Sequence, residues 1–515
     1  MNGAEALIQT LHDCGVEVCF ANPGTSEMQL VAAIDGQHGM RAVLALFEGV
    51  VTGAADGYGR MADKPAATLL HLGPGLGNGL ANLHNARRAM SPVINLVGDH
   101  ATYHLHYDAP LTSDAAGVAR PMSDFVRISK STRDLPHAGA EAFVAAQGYP
   151  GRIATVIVPA DHAWDEGAGA IAPIAVPPAP QAPDAAVAEA AAALKAGTRT
   201  ALFLGGPALR EGALHAAGRV AAATGAKLIC ETFAARIQRG AGRVAVERLP
   251  YFGEMAADFI KDYDTIIFAG AEPPVSFFAY PGKPSWLSPD GAKLVRLATP
   301  REDPQTALTA LADALGAPAE PAGIATPGTP PVEPGPLNPA NLAAVVAKLL
   351  PENAIVSDES ATLGGAAFMF SAGSKRHDWL ALTGGAIGQG LPLAVGCAVA
   401  CPDRKVVALQ ADGSGMYTVQ ALWTMAREKL DVTTIILNNS SYAILNIELR
   451  RVGVANPGPK ALSMLDLSNP SLDWVALAKG MGVPGVRVTT SEGLYDALSE
   501  ALAAKGPRLI EAMFV

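Results

Sequence analysis

Gln410-Ala411-Asp412-Gly413-Ser414 and, one helix further on, Asn438-Asn439-Ser440-Ser441-Tyr442 decide how this chain folds. The run Val406 to Leu409 is short and apolar, carries two β-branched residues and predicts a strand. Asp412-Gly413 reads as a tight turn. Apolar residues at Met416, Val419, Leu422, Trp423 and Ala426 recur at helical spacing and predict a helix from Met416 to Leu430. Thr433 to Leu437 predicts the next strand, which Asn-Asn ends. Both turns then lie at the carboxyl ends of neighbouring parallel strands, where open α/β sheets bind ligands. The Asp412 carboxylate and the Asn439 amide oxygen face each other across that crevice. Hard oxygen ligands of this kind suit Mg²⁺, which keeps waters and shares its shell with a phosphate-bearing ligand. The main-chain N–H groups after Asp412 open a helix and suit that phosphate.

Toward the N-terminus the same alternation repeats. A helix over 3–14, a strand over 16–20, a turn Asn22-Pro23-Gly24-Thr25-Ser26-Glu27 and a helix over 28–34 come first. A strand over 42–47 then ends at Glu48, and the small-residue helix over 49–61 contains Gly-Ala-Ala-Asp-Gly-Tyr-Gly-Arg. Strands over 66–72 and 92–97 flank a helix opened by Gly73-Pro74-Gly75-Leu76-Gly77-Asn78-Gly79. Strands alternating with helices imply a doubly wound parallel sheet. The glycine run only mimics a dinucleotide fingerprint, because its last position is Leu80. It reads instead as a helix N-terminus packed closely on a neighbour. Glu48, between an apolar strand and a tightly packed helix, is expected to be buried, which costs several kcal/mol unless the carboxylate is paired or protonated. On its own it reads first as a helix-capping residue.

Pro/Ala-rich residues 172–184 and Pro/Gly-rich residues 317–339 read as linkers. They divide the chain into 1–170, a central α/β unit over 185–318 and a third domain over 338–515. The central unit has strands at 200–204, 227–230, 265–268 and 294–297 and no catalytic cluster. The third domain opens with a strand at 354–357 and the segment Asp358-Glu359-Ser360-Ala361-Thr362, where Ser360 and Thr362 are also candidate helix caps. Thr383-Gly384-Gly385-Ala386-Ile387-Gly388-Gln389-Gly390-Leu391-Pro392 follows, then a helix over 442–451 with Ile444 and Glu448 one turn apart, Glu448 facing the substrate or pairing with Arg451. From Leu472 to Val515 the pattern is helix, strand, helix, strand.

These motifs, in this order, resemble the thiamin diphosphate (ThDP) enzymes of the acetolactate synthase and benzoylformate decarboxylase group. The fingerprint usually begins Gly-Asp-Gly; here Ala411 replaces the first Gly. The resemblance implies a fold of three doubly wound parallel-sheet domains. It implies that Asp412, Asn439 and a backbone oxygen of Ser441 hold Mg²⁺. Ser360, Thr362, Gly413, Ser414, Tyr417 and Tyr442 would hold the cofactor. The Gly385 carbonyl would accept from the aminopyrimidine, and Ile387 would prop the cofactor into a V. Glu48 would hydrogen-bond the pyrimidine and drive the imino tautomer that takes the thiazolium C2 proton; the cofactor carries the carbanion chemistry. Asn22-Pro23-Gly24-Thr25 is similar to the turn lining the substrate pocket in benzoylformate decarboxylases, and His71 falls where those enzymes carry an active-site histidine. His71 is thus a candidate proton shuttle, or a satisfied histidine at a strand end. The second histidine of that group would fall near Phe277–Tyr280, where there is none. FAD is not predicted.

Bulk properties agree with a large enzyme. The 515 residues are 50% hydrophobic and 17% charged, with a net charge of −10, so nucleic acid and anionic membranes are poor partners. Five scattered cysteines without metal spacing predict reduced thiols. The first residues carry no secretory pattern, and no apolar run approaches about 18 residues, which predicts a cytoplasmic protein. The expected activity is acetolactate synthase-like decarboxylation of a 2-oxo acid with carboligation. Non-oxidative decarboxylation is the alternative, and a catalytically silent ThDP-binding paralogue is another. The resemblance implies a cofactor lying between two chains, so that one set of each motif implies at least a homodimer, and it suggests a homotetramer.

Overall fold

Valines, isoleucines and alanines in short runs form three sheets in the computed structural model, which describes residues 1–514; the end of the last predicted strand, Val515, lies outside the described residues. The strands of the first sheet are β1 (Val18–Asn22), β2 (Arg41–Leu44), β3 (Ala66–Leu70), β4 (Val93–Asp99), β5 (Phe125–Ile128) and β6 (Ile153–Pro159). They pair in the order β2-β1-β3-β4-β6-β5, all parallel. Next in the chain come β7 (Thr200–Leu204), β8 (Lys227–Cys230), β9 (Ile237–Arg239), β10 (Glu247–Arg248), β11 (Thr265–Ala269) and β12 (Lys293–Ala298). All but β9 form the second sheet, β10-β8-β7-β11-β12, also parallel. The third sheet uses β13 (Ala354–Glu359), β14 (His377–Ala381), β15 (Val406–Ala411), β16 (Val432–Asn438), β17 (Gly485–Val488) and β18 (Arg508–Met513). Its order is β17-β18-β16-β15-β13-β14-β9.

The third sheet departs from the all-parallel expectation at one edge. β9, from the central stretch of the chain, pairs antiparallel with β14. Burial explains the choice. Arg239 lays its guanidinium 3.7 Å over the Phe368 ring and donates Nη1 to the Phe368 carbonyl (2.6 Å) and Ser371 Oγ (2.9 Å). An arginine with those partners is satisfied only against the third sheet.

The helices that matter here are α1 (Gly3–Asp13), α2 (Met28–Gly36), α3 (Glu48–Ala62), α4 (Leu72–Ala89), α5 (Gly365–Phe370), α6 (Gly390–Ala400), α7 (Asp412–Gly415), α8 (Ala421–Arg427) and α9 (Ala443–Arg451). α3 and α6 cross at backbone contact. A Cβ at Gly57 would lie 2.2 Å from the Leu393 carbonyl oxygen, and one at Gly396 would lie 1.9 Å from that of Ala54. The small residues of α3 therefore bring the first and third sheets together within one chain. The glycine run at 73–79 packs as expected: a Cβ at Gly79 would meet Thr52 Cγ2 of α3 at 2.8 Å.

The predicted helix from Met416 to Leu430 is not continuous. α7 starts at Asp412 directly from β15, a 3₁₀ turn covers Met416–Thr418, and α8 runs from Ala421 to Arg427. The tight turn at Asp412-Gly413 is thus the first turn of a helix. Among the described residues no helix is long and apolar enough to cross a membrane.

Candidate active site

Parallel pairing of β15 with β16, Val406 opposite Val432 through Ala411 opposite Leu437, sets the register of the site. Asp412 and Asn439 follow immediately at the carboxyl ends. Asp412 is 2% exposed. Its Oδ1 accepts from the Gly413 N–H at 2.9 Å, while Oδ2 is buried and has no hydrogen-bond partner among the described residues. Burial pushes this carboxyl up, against the pull of N–H groups from Gly413, Ser440 and Asn439. A buried carboxylate oxygen without a partner is costly unless a ligand meets it. Asn439 Oδ1 accepts from the Ser441 N–H at 3.1 Å and keeps its other lone pair. Ser440 sits at φ +53°, a left-handed turn that re-aims the chain toward Asp412. No cluster of three His, Cys, Asp or Glu side chains suits a metal among the described residues. One carboxylate and one amide do fit Mg²⁺ when phosphate oxygens and water complete the octahedron.

Gly413 lies beneath Tyr442, since a Cβ there would be 2.4 Å from the ring's Cε1. Ser414 Oγ accepts from Gln410 Nε2 at 2.7 Å. Tyr417 is 54% exposed at the rim, with its Cβ 2.7 Å from where a Cβ on Gly388 would be. Ser360 and Thr362 do not cap α5, whose N-cap is Gly364. Ser360 Oγ instead donates to Asp358 Oδ1 at 2.5 Å, and Thr362 is exposed.

Glu359 next to them is a buried carboxylate that sequence reasoning passed over. Its oxygens accept the N–H groups of Gly388 (2.6 Å) and Gly390 (2.5 Å) and Gln410 Nε2 (3.2 Å). Burial pushes it up to about 7 despite those donors. It holds the loop 383–389, in which Gly385 (φ +72°) and Gly388 (φ +95°) take the left-handed backbone that glycine permits. Ile387 is half-buried in that loop. Phe277, reaching in from the central stretch, covers Gly385: a Cβ there would be 2.4 Å from the ring's Cζ.

Glu48 opens α3 and is 7% exposed. Asn78 Nδ2 donates to its Oε2 at 3.0 Å, and a Cβ on Gly75 would approach Oε1 to 3.3 Å. The glycine run therefore leaves room for this carboxylate. No hydrogen bond joins Glu48 to the third sheet among the described residues. His71, at the start of α4, is held by Glu27. The His71 Nδ1 to Glu27 Oε2 distance is 2.8 Å, and Ser26 Oγ lies 3.2 Å from the same nitrogen. Glu27 is fully buried, and it also accepts from Ser26 Oγ (2.7 Å) and from the Gly24 N–H (2.7 Å). Thr25 is exposed beside them. The only advance signal for Glu27 was a carboxylate closing the Asn-Pro-Gly-Thr turn.

Glu448 meets the Tyr280 hydroxyl and the Arg451 guanidinium (3.5 Å). Arg451 makes a bidentate pair with Glu254 (2.6 and 2.9 Å) and lies over Phe252 and Tyr280. The two expected catalytic sets thus stand on separate sheets. Asp412, Asn439 and the 383–389 loop gather at the third sheet, and Glu48 and His71 at the first.

Two family models match the chain: "Thiamine pyrophosphate enzyme, N-terminal TPP binding domain" over residues 1–120, and "Thiamine pyrophosphate enzyme, C-terminal TPP binding domain" over residues 362–512. A Mycobacterium tuberculosis H37Rv protein, provisionally named acetolactate synthase large subunit IlvX, is 54% identical over 100% of this chain and 99% of its own. The benzoylformate decarboxylase of Pseudomonas aeruginosa PAO1 is 29% identical over 98% of this chain and 97% of its own. Among solved structures, the Rhodococcus jostii RHA1 ThDP-dependent 4-hydroxybenzoylformate decarboxylase matches at TM-score 0.87, with 26% identity over 99% of this chain and 98% of that one.

Proposed function

This chain belongs to the thiamine pyrophosphate (thiamin diphosphate) enzyme family, and from that premise we propose that it decarboxylates a 2-oxo acid with ThDP and Mg²⁺ and joins the product to a second carbonyl compound, as an acetolactate synthase does. The observation that carries the reading is the buried, unpartnered Oδ2 of Asp412 beside Asn439. The choice of ligation is supported by the 54% identical relative's name.

Asp412, Asn439 and the backbone oxygen of Ser441 would hold Mg²⁺. The N–H groups of Gly413 and Ser414, with Ser360, Thr362, Tyr417 and Tyr442, would meet the diphosphate. Gly385 and Ile387 would seat the aminopyrimidine. When bound, ThDP supplies the thiazolium carbon that adds to the keto group and takes up the electron pair left by CO₂. Glu48, fixed by Asn78, would hold a proton at the ring nitrogen opposite it. Thr25 and His71 would face the substrate, with Glu27 holding one His71 nitrogen so that the other is presented.

In this reading the working site lies between two copies of the chain, in a cytoplasmic homodimer or homotetramer. Leu46, next to Glu48, and Tyr417, near Asp412, each stand about half exposed on faces a second copy would cover. The His71–Glu27 pair favours a second reading, in which the product is protonated and leaves as an aldehyde.

The test is CO₂ release from a 2-oxo acid panel with purified protein, ThDP and Mg²⁺, with products identified by mass spectrometry. Pyruvate, 2-oxobutanoate, benzoylformate and phosphonopyruvate form the panel. Ligated products that vanish in Glu48→Gln support the first reading. Aldehydes alone support the second. A wild type no more active than Glu48→Gln marks a silent paralogue.

A further inference from the structure

Beneath the 383–389 loop lies a pair of charges that the proposed chemistry does not use. Asp56 is fully buried and Arg60 is 3% exposed, one turn apart on α3 of the first domain. Arg60 forks onto Asp56, with Nη2 to Oδ2 at 2.6 Å and Nε to Oδ1 at 2.8 Å. The remaining bonds of the pair run mostly to the third domain. Arg60 Nη2 donates to Thr383 Oγ1 at 3.0 Å and Nη1 to the Ala381 carbonyl at 2.9 Å. Gln389 Nε2 donates to Asp56 Oδ2 at 2.6 Å. Thr383 and Gln389 are the two ends of the loop, so one ion pair ties both.

The stretch between is held from the same side. Asn85 donates Nδ2 to the Ala386 carbonyl (2.7 Å) and accepts from the Ala386 N–H (3.2 Å), and Asn82 donates to the Gly388 carbonyl (3.2 Å). Residues 383–389 form no helix or strand. Their shape therefore comes from what grips them. A buried ion pair is weak evidence for stability, because desolvation consumes most of the attraction. What fixed charges with filled hydrogen bonds do supply is a single geometry.

We propose that Asp56 and Arg60 are positioning residues that hold the 383–389 loop in the shape that receives the cofactor's ring, so that the first domain sets ThDP affinity at a loop of the third domain in its own chain. This rests on the assignment of Gly385 and Ile387 to the cofactor, but not on which product forms.

The experiment is calorimetric titration of the purified apoprotein with ThDP at saturating Mg²⁺, for wild type, Arg60→Lys and Thr383→Val. Thermal unfolding is followed in parallel without ThDP. Arg60→Lys keeps the charge and loses the fork. Thr383→Val leaves the ion pair intact and removes the hydroxyl that accepts from Arg60 and donates to the Asn85 carbonyl (2.8 Å), both ties from the first domain, so it protects the test against a folding failure. The expected result is a ThDP Kd raised about tenfold in Arg60→Lys and about threefold in Thr383→Val. Thr383→Val should unfold within a few degrees of wild type. With ThDP saturating, the KM for the 2-oxo acid should stay at the wild-type value in both. Wild-type Kd values in both variants would overturn the proposal. So would a loss of affinity in Arg60→Lys alone that follows its thermal destabilisation. A wild type that binds ThDP but releases no CO₂ from the panel would count against the proposed reaction only, since the Kd ratios decide this inference without turnover.

Discussion

Glu359 and Asp412 are two buried carboxylates at the carboxyl ends of adjacent strands, β13 and β15. Glu359 has every oxygen engaged, by two main-chain N–H groups of the 383–390 segment and by Gln410. Asp412 keeps Oδ2 buried and empty. The contrast separates two uses of the same chemical group. A satisfied carboxylate shapes the protein around it, and an unsatisfied one at a strand end is kept for a ligand. By that criterion Glu48, with one donor from Asn78, stands nearer to Asp412 than to Glu359.

The largest expected effect tests the place of Glu48 in this comparison. Glu48→Gln should lower the decarboxylation rate by about 10²- to 10⁴-fold, the range for a positioned acid–base group. ThDP affinity should change only a few-fold. Steady-state CO₂ release and calorimetry on the same preparation decide it, and an unchanged rate would leave Glu48 as a structural carboxylate held by Asn78, since the N-cap of α3 is Phe47.

Next in size is Asp412→Asn. The amide keeps the shape and removes the charge that Mg²⁺ needs. ThDP binding in the presence of Mg²⁺ should weaken about 100-fold, on the order of 3 kcal/mol. Raising Mg²⁺ should recover part of the loss. Binding that ignores both the substitution and the Mg²⁺ concentration would place the metal elsewhere.

The satisfied partner gives a different signature. Burial raises the Glu359 carboxyl to about 7 from an ordinary 4.5. The folded state therefore binds a proton that the unfolded chain has already lost between those two pH values. The stability tied to this group is fully present below about pH 4.5 and falls as pH rises to about 7. Its size is on the order of 3 kcal/mol from the shift alone. Urea unfolding of the apoprotein at several pH values, beside Glu359→Gln, isolates it. The variant should lack this decline, and identical pH slopes in the two proteins would remove Glu359 from the account.

How far the sequence foretold this site follows from the same distinction. The alternation of apolar strands and helices foretold the parallel sheets; Asp412 and Asn439 each stood at a strand end with a turn signal, and Glu48 stood between an apolar run and a small-residue helix. The residues that were missed act through distant partners. Glu359 is defined by Gly388 and Gly390, Asp56 by Gln389, and Phe277 by Gly385, and no local pattern encodes such pairs. β9 was hidden for the same reason, because its three residues become a strand only when Arg239 finds Phe368 and Ser371. The break between α7 and α8 escaped notice because helical periodicity continues across the 3₁₀ turn.

The smallest effect concerns the first sheet, where satisfaction and function meet in one pair. Glu27 is as fully engaged as Glu359, but what it holds is a side chain with a free end. With Nδ1 bound to Glu27, His71 is left with Nε2 to offer. Glu27→Gln keeps the volume and weakens that bond by about the worth of one hydrogen bond. The share of product leaving as aldehyde should fall about threefold to tenfold relative to ligated product. CO₂ release should change less, because His71 acts after the carbon–carbon bond breaks. A product ratio that stays constant in both Glu27→Gln and His71→Ala would make the pair a structural clasp at the strand end.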